Sequence, residues 1–434
     1  MPRPLLQYKQ ALVWLYSLQR FGIKLGLENI QRLLDECCSG VGKPGRCFAS
    51  VTGVKRPASA AANASTPRVI HVAGTNGKGS VCAMIDSICR AQRYRTGLFT
   101  SPHLVTFRER IRIDGEMVSE DAVANGLTTI RYLVANWDPH PTFFEVVTAL
   151  ALKSFFEANV DVIILETGIG GRLDATNAIQ SDVAVITPID FDHEEWLGNT
   201  LTRIASEKAG IIKPGIPVVC APQRADAKNV IRKRAAQCEA PLQLITECYD
   251  DSPIALRGEH QKRNAAVAIA AIHAAKIDVD KSTIARGLVA IDWPARFQKW
   301  DERTIVDGAH NPAAARALAE TWREVFGNQK ATLLLAVLSD KDLRGICEAL
   351  APIADSVFLP KIRSERAAQP EALAKLLATV TPSLPHSITS SVGEALDLAR
   401  TQPNRILITG SLHFAGEVLA HLRGEPAAFE ECMQ

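Results

Sequence analysis

The stretch "RVIHVAGTNGKGSVCAMIDSICRAQ", residues 68–92, restricts the possible folds of this chain more than any other. It opens as a buried strand and ends as a helix with Val81, Met84, Ile85, Ile88 and Cys89 on one face. Between the two, Gly74, Gly77 and Gly79 flank Lys78 and Ser80. A strand that enters a helix through such a turn is half of a strand–helix–strand unit. Its strands pair in parallel and need helices over both faces. The alternation continues through "TGLFT", "VDVIILET", "DVAVITPI" and "IPVVCAP", with helices such as "FEVVTALALKSFFEAN" between them. This predicts an α/β fold with a mostly parallel sheet.

The chain has 434 residues, too long for one ordinary core, so two domains are expected. At "AIDWPARF", residues 290–297, a helix ends and a second series of strands begins: "TIVDGA", "ATLLLAVL", "DSVFLP" and "RILITG". We place the boundary near Trp293 and Pro294. An N-terminal mononucleotide-binding domain then spans 1–294, and a smaller, Rossmann-like C-terminal α/β domain spans 295–434. Residues 39–67 hold no acidic residue and are rich in Gly, Ser, Ala and Pro, which reads as a mobile, solvated loop.

Net charge of +2 gives no reason to expect nucleic acid as a partner. The ten cysteines form no C-x-x-C pair, as expected of reduced thiols in a cytoplasmic protein. No apolar run is long enough to span a membrane, and the N-terminus lacks the pattern of a signal peptide.

The glycine turn departs from the common G-x-x-x-x-G-K-[ST] loop, because Gly79 separates Lys78 from Ser80. Its placement between strand and helix still marks a phosphate site. Backbone N–H groups at a helix start carry partial positive charge, Lys78 adds a mobile cation and Ser80 a hydroxyl. "ETGIGGRLDATN" puts Glu166 at the carboxyl end of a parallel strand, where ligands bind in such sheets. "TPIDFDHEEWLG" puts Asp190, Asp192 and His193 after another, and "FTSPHL" adds Ser101. Glu166 and His193 are therefore candidate magnesium ligands, although magnesium prefers oxygen to imidazole. Lys208 in "SEKAGIIKPG" reads, by residue type alone, as a surface or salt-bridged lysine. In the second domain "VDGAHNP" brings Asp307, His310 and Asn311 to a loop before a helix, and Arg296 stands at the junction, able to reach a phosphate when the domains close.

Taken together, these stretches resemble the folylpolyglutamate synthase and dihydrofolate synthase family, relatives of the Mur ligases. With "FGIKLGLENI", "TSPHLVTFRERIRIDG", "GEHQKRNAAVA", "WPARFQ" and "ITGSLHFAGEVL", the matches run in order from about residue 21 to residue 419. The resemblance implies an ATP-dependent amide ligase that phosphorylates the carboxylate of dihydropteroate or a folate and passes it to L-glutamate. It assigns Gly77, Lys78, Gly79, Ser80, Asn264, Arg296 and Asp307 to ATP. It assigns Ser101, Glu166 and His193 to magnesium, and Lys208, carbamylated, to a second magnesium. Leu173, Asp174 and Ala175 match the stretch that touches the pterin, and His310 matches a histidine near the incoming glutamate. Lys24, Glu28, Asn29 and Asp174 are the polar groups expected to grip the pterin, so Asp174→Ala is expected to hurt dihydropteroate more than tetrahydrofolate. A monomer is expected. The alternative is a Mur-type ligase acting on a UDP-linked cell-wall precursor. Two departures stand out: the long 39–67 segment, and Ala295 where the family usually has glycine.

Overall fold

The computed structural model describes residues 5–22, 26–38 and 66–425. The proposed loop at 39–67 lies almost wholly outside the described residues, as does Lys24. Two sheets organise the rest. The first contains β1 (Arg68–Ala73), β2 (Thr96–Phe99), β3 (Ile111–Ile113), β4 (Glu116–Met117), β5 (Val162–Glu166), β6 (Val183–Ile186), β7 (Val218–Cys220) and β8 (Leu242–Leu244). Their order is β4-β3-β2-β5-β1-β6-β7-β8. Only β3 runs against the others, pairing antiparallel with β2 and with the edge strand β4. β1 lies between β5 and β6, and β5 also pairs with β2. The glycine turn, Glu166, Ser101 and the Asp190–His193 loop therefore all lie at the carboxyl ends of parallel strands, on the same end of one sheet.

The helix Lys78–Ala91 differs from its expected single apolar face. Every residue from Gly79 to Cys89 is buried. One side packs on the sheet. The other is covered by the helices Glu259–Ala274 and Lys281–Val289, whose Ala268, Ile272 and Leu288 share a core with Ile85 and Ile88. Ser87 donates to the Gly287 carbonyl across this contact (2.7 Å).

The second sheet contains β9 (Gln298–Lys299), β10 (Thr304–Val306), β11 (Ala331–Leu335), β12 (Ala354–Pro360), β13 (His386–Thr389) and β14 (Arg405–Thr409). Its order is β13-β12-β11-β14-β10-β9, parallel except for β9. Asn311 caps the helix Pro312–Phe326, with proline in its first turn as such helix starts favour. Val105, from the loop after Ser101, is buried in the core of this second sheet, so the two units share packing. Among the described residues no helix is long and apolar enough to cross a membrane.

Ala295 adopts a left-handed backbone, φ +55°. Glycine, the residue the resemblance leads one to expect there, adopts such a φ freely, whereas a side chain costs on the order of 1 kcal/mol. The Ala295 methyl is fully buried in the second core, and that burial offsets the strain by a similar amount.

Candidate active site

The glycine turn is tightly built. A Cβ on Gly74 would lie 1.9 Å from Thr187 Oγ1. Gly77 has φ +88° and faces Asn264 at close range. Both positions exclude other residues, and they leave the start of the helix open toward a cleft of about 460 Å³. Lys78 Nζ donates to the Thr75 carbonyl (3.3 Å) and lies 4.0 Å from Glu166. Gln261 donates to Ser80 Oγ (3.4 Å) and accepts from Asn264 Nδ2 (2.9 Å).

Glu166 is buried, and one of its oxygens accepts from the Ser101 backbone N–H (3.1 Å). Desolvation raises its pKa, against the pull of Lys78, the Ser101 N–H, Arg296 and Arg110. His193 heads a short helical turn with φ +53°. Burial lowers its pKa to about 4, so its ring is neutral at pH 7 and keeps a lone pair for a ligand. For Asp192, burial alone would raise the pKa. The neighbouring His310, His193 and Lys341 outweigh it and hold the carboxylate far below its ordinary range.

The solvated reading of Lys208 is overturned. The residue is 4% exposed and Nζ donates to the Gly74 carbonyl (2.7 Å), directly behind the glycine turn. Burial, with Lys78 nearby, lowers its pKa to about 7.

The second sheet supplies the facing wall. Asp307, at the end of β10, accepts from the backbone N–H groups of Phe297 (2.7 Å) and Ala309 (2.8 Å). Burial raises its pKa and Arg296 opposes this. Arg296 donates to the Ala295 carbonyl (2.8 Å), and among the described residues no carboxylate lies within ion-pairing distance of it. The interdomain salt bridge that an arginine here could form is therefore not made, and the guanidinium lines the cleft. His310 Nδ1 donates to the Gly308 carbonyl (2.9 Å), with Nε2 3.6 Å from Asp192 of the opposite wall.

The cleft thus gathers Gly77, Lys78, Gly79, Ser80, Ser101, Glu166, His193, Asn264, Arg296, Asp307 and His310. Sequence reasoning missed Gln261 and Lys341. Lys341, in the loop after β11, pairs with Asp192 (2.6 Å) with both side chains buried. It follows the carboxyl end of a buried parallel strand, the same signal that picked out Glu166.

Leu173, Asp174 and Ala175 do not line this cleft, and neither do Glu28 and Asn29, which begin the helix Glu28–Cys38. The Asp174 carboxylate is consumed within its own loop. It accepts from the backbone N–H groups of Gly168 (3.1 Å), Ile169 (3.0 Å) and Thr176 (3.0 Å), and from the Thr176 hydroxyl (2.5 Å). His71, fully buried on β1, bonds the same Thr176 hydroxyl (2.8 Å). Asp174→Ala strands three backbone donors, at a cost of about 2–4 kcal/mol. The geometry therefore changes the expectation from the sequence: loss on dihydropteroate and tetrahydrofolate should be equal and accompanied by a lower melting temperature. A selective loss on dihydropteroate at unchanged melting temperature would restore direct contact.

Two family models match the chain: the Mur ligase middle domain over residues 72–272 and the Mur ligase glutamate ligase domain over residues 295–412. The dihydrofolate synthase/folylpolyglutamate synthase of Bacillus subtilis is 32% identical, covering 96% of this chain and 99% of that protein. The Escherichia coli protein of the same name is 32% identical, covering 94% of each. Among solved structures, Escherichia coli FolC in complex with DHPP and ADP superposes with a TM-score of 0.82 at 31% identity, over 95% of this chain and 98% of that one. The Yersinia pestis bifunctional folylpolyglutamate synthase/dihydrofolate synthase, complexed with AMPPNP and Mn ion, gives 0.82 at 30% identity, over 98% and 100%. These relatives match nearly end to end and carry folate names, which disfavours the cell-wall alternative. The chain belongs to the dihydrofolate synthase/folylpolyglutamate synthase family, ATP-dependent glutamate ligases built on the Mur ligase fold.

Proposed function

We propose that this chain joins L-glutamate both to dihydropteroate and to reduced folates, with ATP as phosphoryl donor and one centre for both reactions. The observation that carries this is a single cleft with a phosphate-binding turn on one wall and Arg296, Asp307 and His310 on the other. Both reactions activate a carboxylate and accept the same amine, so one cleft serves both. Residues 1–294 form the nucleotide domain and 295–434 the domain that closes on it. Both walls come from one chain, which fits a monomer. The cysteines among the described residues are free, which fits a reducing cytoplasm.

In this reading Gly77, Lys78, Gly79 and Ser80 hold the ATP phosphates, and Asn264, Arg296 and Asp307 complete the nucleotide site. A carboxylate oxygen of the folate-type substrate attacks the terminal phosphorus, and ADP leaves. The amine nitrogen of glutamate then attacks the acyl carbon, a C–N bond forms, and phosphate departs as the amine loses its proton. His310 faces the amine. Closure of the walls keeps water from the acyl phosphate. Leu173, Asp174 and Ala175 shape the pterin side by fixing their loop.

Ser101, Glu166 and His193 fit a magnesium-type ion. Among the described residues none hydrogen-bonds the second oxygen of Glu166, and the His193 ring, its pKa lowered to about 4 by burial, is neutral at pH 7. Among the described residues no three His, Cys, Asp or Glu side chains converge on a metal by themselves, so phosphate oxygens would complete the shell. Such an ion, when bound, neutralises phosphate charge and aligns the transfer. Lys208, as a carbamate, would offer a second oxygen site.

The test is ADP release with dihydropteroate, tetrahydrofolate and a UDP-linked cell-wall precursor, each with and without glutamate. We expect glutamate-dependent release with the first two and an amide product. No turnover of dihydropteroate would leave a folylpolyglutamate synthase alone.

A further inference from the structure

We infer that the side chains of Asn76 and Asn311 form the link through which the glycine turn sets the position of His310. The inference rests on the ligase reading above, with His310 on the amine side of the cleft. Asn76 sits inside the glycine turn, and Asn311 directly follows His310. Their amides pair reciprocally across the cleft: Asn76 Nδ2 donates to Asn311 Oδ1 (3.2 Å) and Asn311 Nδ2 donates to Asn76 Oδ1 (2.9 Å). A third bond fixes which atom is which. The Ala314 backbone N–H donates to Asn311 Oδ1 (2.9 Å), so this atom is the oxygen and the nitrogen must point at Asn76.

The pair is built to transmit position. Asn311 is 2% exposed, so water does not compete for its amide. Asn76 is held from behind, because its backbone N–H and that of Thr75 both donate to the Pro188 carbonyl (3.2 and 2.9 Å). Two neutral, oppositely directed hydrogen bonds form at only one separation and one orientation of the two walls. The Asp192–Lys341 ion pair crosses the same seam, but a lysine on a flexible stem tolerates a range of geometries. The asparagine pair therefore acts as the register and the ion pair as the tether. When phosphates order the glycine turn, the pair carries that order to the loop Gly308–Asn311. His310 is then presented to the amine in one place. Asn76 and Asn311 are positioning residues, not groups that touch the reacting atoms.

The variant Asn311→Ser separates this role from helix capping. Serine is an equally good cap and keeps the bond to Ala314, but it is too short to reach Asn76. On the full-length protein, the KM for glutamate should rise about 10-fold, the order expected when two part-buried hydrogen bonds are lost. The Kd for ADP should stay within about two-fold and the melting temperature within a few degrees, because turn and cap are intact. Asn76→Ser should raise the glutamate KM similarly, and the double variant should be no worse than either single one, since both remove the same contact. An unchanged glutamate KM overturns the inference. So do a parallel rise in ADP Kd for Asn311→Ser and additive effects in the double variant. If the unmutated chain shows no glutamate-dependent ADP release, the ligase reading falls first, and this inference falls with it.

Discussion

Lys208→Ala should lower turnover by a factor of about 10³, the scale of losing a charge-stabilising group at a phosphoryl-transfer site. A short carboxylic acid in the buffer should restore part of it. The reason lies in the burial of this side chain. At a pKa of about 7, half of the Lys208 amines are neutral at pH 7, against roughly one in 10³–10⁴ for an ordinary lysine. Only the neutral amine adds carbon dioxide. The ammonium first loses one proton; the neutral amine then forms an N–C bond and releases a second, so a cation crowded by Lys78 becomes an anion that Lys78 attracts. Wild-type activity should therefore fall when carbon dioxide is stripped from the buffer, whereas the alanine variant should not respond. Stability follows a defined sign. As pH drops from about 10.5 to 7 the unfolded chain takes up a proton at this position and the folded chain does not, so stability falls across that window. Lys208→Ala should lack that component. An unmodified ammonium in a well-ordered map of the active state at neutral pH or above would count strongly against the carbamate.

How much of this was legible beforehand depended on local pattern. The central strands β1, β2, β5, β6 and β7 are buried apolar runs that announce themselves. The edge strands β4, β9 and β13 are short and carry mostly polar or exposed residues, and β3 has only three residues, so periodicity had nothing to report there. The glycine turn, Glu166 and the "VDGAHNP" loop were readable because each follows a strand whose end must face the crevice. Lys208 was not. Its helix, Leu201–Ala209, reads as an ordinary amphipathic surface helix, and only the tertiary fold turns that lysine in behind Gly74. Asp174 was legible as part of a stretch matching the family, but its bonding was not: the loop's own N–H groups saturate its carboxylate. The Asn76–Asn311 pair joins residues from two separate motifs, and no spacing within either one predicts that they meet.

Glu166→Gln should lower turnover by about 100-fold or more, while leaving the fold at least as stable at pH 7. The two outcomes have one cause. Glutamine preserves the shape and an oxygen for the Ser101 N–H, but removes the negative charge. In the folded chain desolvation raises the carboxyl's pKa above its ordinary value, so the unfolded chain ionises first as pH rises. Stability contributed by the neutral form is complete below the ordinary carboxylate range and is lost as pH climbs through the raised value. Once ionised, Glu166 is therefore a cost to stability, only partly relieved by Lys78 at 4.0 Å. The amide is free of that cost. In the proposed reading, a carboxylate kept against its own burial beside a phosphate-binding turn serves through the charge it would present to the metal and the transferring phosphate. Two readouts separate this from a packing role. The magnesium concentration for half-maximal activity should rise in the variant, and manganese affinity of its ADP complex, followed by paramagnetic resonance, should weaken. Near-normal turnover at saturating magnesium would remove Glu166 from the metal site. A sharp fall in melting temperature would instead make its role structural.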